Sequence, residues 1–519
     1  MNTKILVLSL LSILTLTGCS FGNTNNSNGS DETGDNNNNS DNNNNNNNND
    51  DSGDTDNNDN NNNNDDDNGG DNKEEDKFAG EDTISNFTFE DFFNPTSKIE
   101  ISLDFSNESL YKLAQYGTSR NFDKEEMYHP CNVTVTVNGK TSIYKEVGAR
   151  MKGNTSRNNG FISENGIFTD KVSLCHFKLS FSTLFNKTSK NDYYIKTYTE
   201  EEKAYRDDRR LVGLKKIDLK WNRTFDKSFT KELYSLQSFR DVGVYSQHAN
   251  LINLTINTEA DSVTQNYLAY EVVDKTMIKS VFTDKAAQKG DLYKCTYSNQ
   301  GPADLASTDN NKFGLESNGY TPSYCIKTNE DTSDYSSIKR FISLSSVRNT
   351  SGEEYKEVID NILDIDYFLR FAAMSWIIGS PDDYRNNYNN YYLYFNPSNN
   401  KAYFIPYDND RVLGILNGWE IDTSHQAMDS DRLGGTATND GCGMPIVRRL
   451  LAPGSTSRPM VEEYYQKYLS YCKEYATTYL DVNKFKDYTN QFYYSSKDIS
   501  EGNNNMSFET YANNKKSTF

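Results

Sequence analysis

The stretch PDDYRNNYNNYYLYFNPSNNKAYFIPYDND, residues 381–410, decides how the chain is read. Two Asp, a run of Asn, two apolar runs and two further Asp follow one another. YYLYF and KAYFI, separated by turn-forming Asn, Pro and Ser, predict a two-stranded hairpin. A hairpin brings its ends together, so acids on either side of it converge in space although they are distant in sequence. Converging carboxylates and amides are the hard oxygen donors that a divalent cation requires. The segment is a candidate metal and reaction centre.

Just before it, DIDYFLRFAAMSWIIGSP is apolar throughout and predicts a core helix. Just after the central region, MPIVRRLLA and RPMVEEYYQKYLSYCKEYATTYL predict a helix pair, and beyond about Asp498 the chain turns Asn-rich and reads as a loose tail. Upstream, KIEISLDF alternates like a strand, and NVTVTVNGKTSIYKEVGARMKG continues as two strands about the Asn138-Gly139 turn. MKGNTSR, residues 151–157, predicts a turn able to present backbone N–H groups to a phosphate. CHFKLSF and KKIDLKWN are strands with Lys178 and Lys220 among apolar neighbours.

DKSFTKELYSLQSFRDVG predicts a helix: Phe229, Leu233, Leu236 and Phe239 recur at helical spacing, Ser228 is placed to cap it and Gly243 to end it. Glu232 flanks the buried stripe; an ordinary solvated carboxylate is the simpler reading, and pairing with a strand lysine is the alternative. ANLINLTIN and QNYLAYEVVDKTMI add two strands, the second leading into a short helix, and GDLYKCTY adds another. The body from about 84 to 498 therefore reads as one α+β domain.

The first residues belong to a different class. MNTKILVLSLLSILTLTGCS has a Lys near its start, a short apolar run and a small-residue exit, which is the pattern of a secretory signal and is too short for a membrane span. Its exit, Leu16-Thr17-Gly18-Cys19, resembles a bacterial lipobox, which implies cleavage before Cys19 and acylation of that residue at the extracellular face of the membrane. Residues 20–80 are mostly Asn, Asp, Ser and Gly, and so poor in apolar groups that they predict a disordered tether. Between Ser20 and Lys77 there are 16 acids and 2 lysines, so 14 of the 20 net negative charges lie in the tether. The remaining mild charge speaks against a nucleic-acid partner.

Six cysteines follow Cys19 and match no metal-binding spacing; if one pair is bonded, Cys295 with Cys325 is the favoured one. The four histidines are scattered and predict no zinc site.

The order helix, acidic loop, hairpin, acid is also that of a kinase catalytic lobe, in which a loop Asp accepts the proton of the attacking hydroxyl, a loop Asn and a second Asp hold Mg²⁺, and a strand lysine meets phosphate. In this template Asp383 is the loop Asp, Asn387 or Asn390 the metal amide and Asp408 the closing ligand. Five elements in order resemble the spore-coat CotH kinase family: MKGNTSR, the stretch LKKIDLKWNRTFDKSFTKELYSLQSFRDVGV, YLAYEVVDK, DLYKC, and NNYYLYF with FIPYDND.

The resemblance implies an atypical, two-lobed protein-kinase-like fold that transfers phosphate from ATP to Ser or Thr of cell-surface or spore-coat proteins, using Mg²⁺ or Mn²⁺. It implies Asp383 as catalytic residue, Asp408 as metal ligand with Asp410 close by, and Glu271 with the strand lysines Lys178 and Lys220 on the nucleotide side, together with Lys152 of the MKGNTSR loop. Tyr407 stands where the family has Trp and Lys152 where it has Arg, and the loop from Asp383 to Asn390 is longer than the family's. That length leaves Asn387 and Asn390, and Asp382 and Asp383, as open alternatives. A non-catalytic adhesion or coat protein on the same fold is the competing expectation, because a fold does not fix a function. A glycoside-acting carboxylate pair has only the abundance of acids and aromatics behind it.

Overall fold

In the computed structural model, which describes residues 82–519 apart from 118, 120, 154–173, 222–225, 417–443, 453–455 and 501–504, the strand patterns upstream of the hairpin close on themselves. Strands β1 (Ile99–Asp104), β2 (His129–Val137), β3 (Lys140–Lys152), β4 (His176–Ser180), β5 (Lys216–Trp221), β6 (Ala249–Asn257) and β7 (Ser262–Glu271) form a barrel in the order β1-β2-β3-β4-β5-β7-β6. Neighbours are antiparallel except β1 and β6, whose parallel pairing completes the ring. Alternation fills its interior: Ile99, Ile101 and Leu103, Val133 and Val135, Ile217 and Leu219, Leu254 and Ile256 are buried together. The Asn138-Gly139 turn joins β2 to β3 with both residues at positive φ, 51° and 85°, the geometry this dipeptide supplies at low steric cost.

Because Ile217 and Leu219 point inward, Asp218 and Lys220 of β5 point out of the barrel. Over that side lies the helix Lys231–Asp241, almost wholly buried. Leu233 and Leu236 pack against Leu251 and Leu268 of the barrel, while Tyr234 and Phe239 enter the second core. The helix starts later than its sequence suggests. Ser228 does not cap it; Phe229 takes a φ of 63°, and the Asp226 carboxylate accepts the Ser228 and Lys231 N–H groups. Gly243, at φ 75°, ends the helix as expected, its N–H donating to the Arg240 carbonyl.

The second core joins a five-stranded sheet to helices. Strands β8 (Leu292–Cys295), β9 (Phe313–Gly314), β10 (Tyr324–Ile326), β11 (Tyr391–Asn396) and β12 (Lys401–Pro406) lie in the order β12-β11-β8-β10-β9. The predicted core helix spans Ile365–Ile378 and contacts β12, and the predicted pair appears as Pro445–Leu450 and Glu462–Tyr479. Large apolar side chains contribute roughly 1.5–3 kcal/mol each when taken from water, so this Tyr- and Phe-rich core dominates the stability of the helical half. Among the described residues no helix is long and apolar enough to cross a membrane.

Two further expectations are corrected. The residues 499–519, read from composition as a loose tail, carry the helix Phe508–Lys516, whose Phe508, Tyr511 and Ala512 are buried and whose Tyr511 hydroxyl donates to the Ile377 carbonyl at 2.7 Å. Cys295 and Cys325 are both free. They sit on paired strands, but the register sets Cys295 against Tyr324 and Cys325 against Lys294, so the two thiols project from opposite faces. The signal segment with Cys19, the tether, Asn154–Arg157 and Cys442 lie outside the described residues.

Candidate active site

The β11–β12 hairpin answers the question raised by its sequence. Tyr391 pairs with Pro406 at its base, and the Tyr407 N–H donates to the Asn390 carbonyl at 3.2 Å, so the acidic loop before the hairpin and the acids after it meet. Asp408 leaves the strand with a φ of 52°, a conformation that costs a non-glycine residue on the order of 1 kcal/mol and turns its side chain away from the strand's course.

That carboxylate meets Lys220. The ammonium of Lys220 lies 2.6 Å from Asp408 Oδ1, 2.9 Å from Glu232 Oε1 and 3.9 Å from Asp410 Oδ2. Strand β5, the Lys231–Asp241 helix and the segment after β12 thus converge on one cation. Burial by itself would lower the Lys220 pKa, but Asp408 and Glu232 hold it well above the usual range. The reverse holds for Asp408: burial pushes it up, and Lys220 outweighs this and keeps it well below the ordinary carboxylate range. Glu232 and Asp410 are both raised, by burial first, because one lysine cannot balance three carboxylates.

In the loop, the two adjacent acids have different tasks. Asp383 is buried; its Oδ1 accepts the N–H groups of Arg385 and Asn386 at 3.0 and 2.8 Å, and its carbonyl accepts those of Asn387 and Asn389. Asp382 is half-buried and gathers side-chain amides: Asn387 at 2.5 Å, Asn389 at 3.2 Å and Asn390 at 3.0 Å. Burial raises Asp382, with a smaller push from the charge of Asp408. The donor ends of Asn387 and Asn390 face Asp382, which leaves their carbonyl oxygens as the ends suited to a cation.

A second patch adjoins the first. Asp218, two residues before Lys220 on the same face of β5, accepts Lys152 at 2.5 Å and has Lys178 at 3.8 Å. Tyr407 stacks edge-on against Tyr392 with ring centres 5.1 Å apart, and the Lys152 ammonium stands 6.0 Å from the Tyr407 ring centre.

A model of the family described as "CotH kinase protein" matches residues 177–509. The chain belongs to the CotH kinase protein family. The match takes in both groups of acids, Lys178, Lys220, Glu232 and Glu271, and leaves Lys152 just outside. The chain is also similar to Invasin CotH7 of Rhizopus delemar, with 27% identity over 179 residues, 34% of this chain and 27% of the relative. It therefore spans about a quarter of the length of that curated relative.

Of the residues expected at the site, Lys220, Asp408 and Asp410 come together, Asn387 and Asn390 gather on Asp382, and Lys152 and Lys178 share Asp218. Asp383 is turned into its own loop. Glu271 stands apart from all of them: it pairs in register with Ile217, so it lies on the strand face opposite Lys220, where its carboxylate accepts the His248 N–H at 3.2 Å and meets His248 Nδ1 at 2.9 Å. Glu232, not Glu271, is the acid that meets a strand lysine. The role of Asp218 was missed although its signal was present, since a strand places Asp218 and Lys220 on one side by its period of two.

Proposed function

We propose that the chain is a protein kinase that transfers phosphate from ATP to Ser or Thr hydroxyls of cell-surface or spore-coat proteins, tethered to the outer face of the membrane through a lipid on Cys19. The three-way junction at Lys220 carries this reading. A strand lysine paired with a helix glutamate, beside an acid that closes a hairpin, is the arrangement phosphoryl transfer uses to hold nucleotide phosphates. The barrel is then the nucleotide lobe and the helical half the catalytic lobe of a kinase-like fold. Lys220 neutralises the phosphates, and Lys152 and Lys178 stand close by on Asp218.

Asp408, Asp410 and the amide oxygen of Asn387 or Asn390 are hard donors that fit Mg²⁺ or Mn²⁺. Among the described residues no group of three His, Cys, Asp or Glu could hold a metal alone, which suits Mg²⁺, a cation that takes one or two carboxylates and completes its shell with substrate phosphates and water. When bound, the cation supplies charge neutralisation on the β- and γ-phosphates. The acceptor hydroxyl gives its proton to Asp382 as its oxygen attacks the γ-phosphorus, and the β–γ bridging oxygen leaves with ADP. The geometry favours Asp382 over Asp383 here, because Asp383 is buried with its Oδ1 spent on two N–H groups of its own loop, whereas Asp382 is half-buried among the side-chain amides.

The experiment is incubation of the protein with labelled ATP and Mg²⁺ or Mn²⁺, beside Asp408→Ala. Labelling that disappears in the variant, with the circular-dichroism spectrum of the folded protein, is the expected result; equal labelling sinks the reading. A surface-interaction role without catalysis is the second reading, favoured by the printed name of the Rhizopus relative. It requires that calorimetry find no saturable binding of ATP with Mg²⁺.

A further inference from the structure

The last residues of the chain touch each of the three elements that carry the site's acids. The Met506 carbonyl accepts the buried Lys231 ammonium at 2.9 Å, and the Phe508 ring stands edge-on to Tyr234 with centres 6.0 Å apart. Residues 506–508 thus hold the helix Lys231–Asp241 on both sides of Glu232. The Met506 N–H donates to the Gly414 carbonyl at 2.8 Å, and Asn505 Oδ1 accepts the Leu416 N–H at 2.8 Å. These bonds hold the segment that leaves β12 with Asp408 and Asp410. Tyr511 reaches the third element: its hydroxyl donates to the Ile377 carbonyl at 2.7 Å and packs against Gly379, which ends the helix Ile365–Ile378 and opens the loop of Asp382 and Asp383. The neighbouring Ile378 carbonyl accepts the Leu413 N–H at 2.8 Å, which ties the start of that loop to the segment after β12.

The approach is close on both flanks. Gly379 and Gly414 have positive φ, 64° and 88°, and a Cβ at the first would collide with the Tyr511 hydroxyl and press on Lys515, while one at the second would press on Met506 and Tyr511. Phe508, Tyr511 and Lys515 are wholly buried although the helix that bears them is mostly polar. The match to the CotH family ends at residue 509, so Tyr511 and Lys515 lie beyond it. We infer that residues 505–515 are a strap that sets the elements of Glu232, Asp382 and Asp408 in place around Lys220, with Lys231 and Tyr511 as positioning residues. Each acts through the element it holds. Carboxylates 2.6 and 2.9 Å from one ammonium tolerate little drift, and a misplacement of about 1 Å can cost ~100-fold in rate. The effect on rate rests on the reading of that junction as the reaction centre; the coupling between the three elements does not.

The test is hydrogen–deuterium exchange of the full chain, beside labelled-ATP transfer, in wild type, Lys231→Met and Tyr511→Phe. Each substitution removes one polar anchor and keeps most of the side chain's bulk. The expected result is reciprocal. Lys231→Met speeds exchange about tenfold in the loop 385–389, Tyr511→Phe does so at residues 231–236, and the amides of β1 and β2 keep their rates, which shows that the fold is intact. In both variants kcat falls about tenfold while KM for ATP stays within about twofold, the mark of misplacement and not of a lost nucleotide contact. Exchange that rises only beside the substituted residue overturns the inference, because an anchor that is merely structural acts locally; so does an unchanged kcat in the variants of an active wild type. Since exchange needs no turnover, a wild type without transfer sinks the kinase reading alone, and the strap is then decided by exchange.

Discussion

Two groups of lysines line the same opening, and they are balanced in opposite ways. Lys220 has three carboxylates within 4 Å, more than it can neutralise, whereas among the described residues Lys294 and Lys327 have none at that distance. An excess of acid beside one lysine leaves room for a cation; an excess of lysine leaves room for an anion. The contrast comes from strand geometry: Lys220 faces the end of the hairpin where Asp408 turns out.

The largest expected effect breaks the acidic side. Asp408→Ala removes the carboxylate that joins Lys220 to the hairpin, and labelled-ATP transfer falls to background, while circular dichroism stays that of the folded protein and the melting temperature falls only modestly, because the Asp408 side chain is 41% exposed and Lys220 keeps Glu232. Next is Lys220→Met, which abolishes transfer and also leaves Glu232 buried without its cation. Removing one partner of a buried pair costs about 3 kcal/mol, so denaturant unfolding of this variant shifts its midpoint well below that of wild type. An unshifted midpoint would mean that the Lys220–Glu232 contact is not formed in solution.

Third comes the pair of adjacent acids. Asp382→Asn is expected to lower the transfer rate by ~100-fold or more, the usual worth of a positioned general base, and by more than its loss of stability accounts for. Asp383→Asn is expected to do the reverse. It weakens the bonds to the Arg385 and Asn386 N–H groups, each worth about 1 kcal/mol, and the loss appears in the melting curve before it appears in the rate. Steady-state kinetics and calorimetry on both variants separate the two residues; the opposite split would return the catalytic role to Asp383.

Much of this was legible in the sequence, and the parts that were not have physical reasons. The barrel strands declared themselves through alternation, and the Asn138-Gly139 turn through its need for positive φ, because both signals are local. The convergence of Asp382 and Asp408 followed from the hairpin alone. Which of two neighbouring acids gathers the loop amides did not, because in an irregular loop adjacent side chains are set by backbone turns such as those at Tyr388 and Asn390, with φ of 51° and 54°, and no periodicity reports them. The pairing of Lys220 with Glu232 in preference to Glu271 depends on strand register across β5 and β7, and so does the separation of Cys295 from Cys325. The C-terminal helix was hidden by composition: FETYANNKK is mostly polar, and the few side chains that dock it, Phe508, Tyr511 and Ala512, are diluted by Asn and Lys.

The smallest predicted effect sharpens the comparison through pH. Asp410 lies 3.9 Å from Lys220, at the edge of ion pairing, and burial together with the charges of Asp408 and Glu232 raises its carboxyl above the ordinary value of about 4. A carboxyl whose folded-state pKa lies above its unfolded value binds its proton more tightly in the folded protein, so stability falls as pH rises from the unfolded value through the folded one. Asp408 has the opposite sign: it is depressed in the fold, and its contribution is present above about pH 4 and lost as pH falls below. Asp410→Asn, which removes the first contribution and keeps the second, is therefore expected to melt a few degrees above wild type at pH 8, and the gain should shrink through pH 4 and vanish by about pH 3, where Asp410 is largely protonated in both states. A gain that is the same at both pH values would show that the acidic side of the opening is not overfilled, and the contrast between the two lysine groups would lose one of its halves.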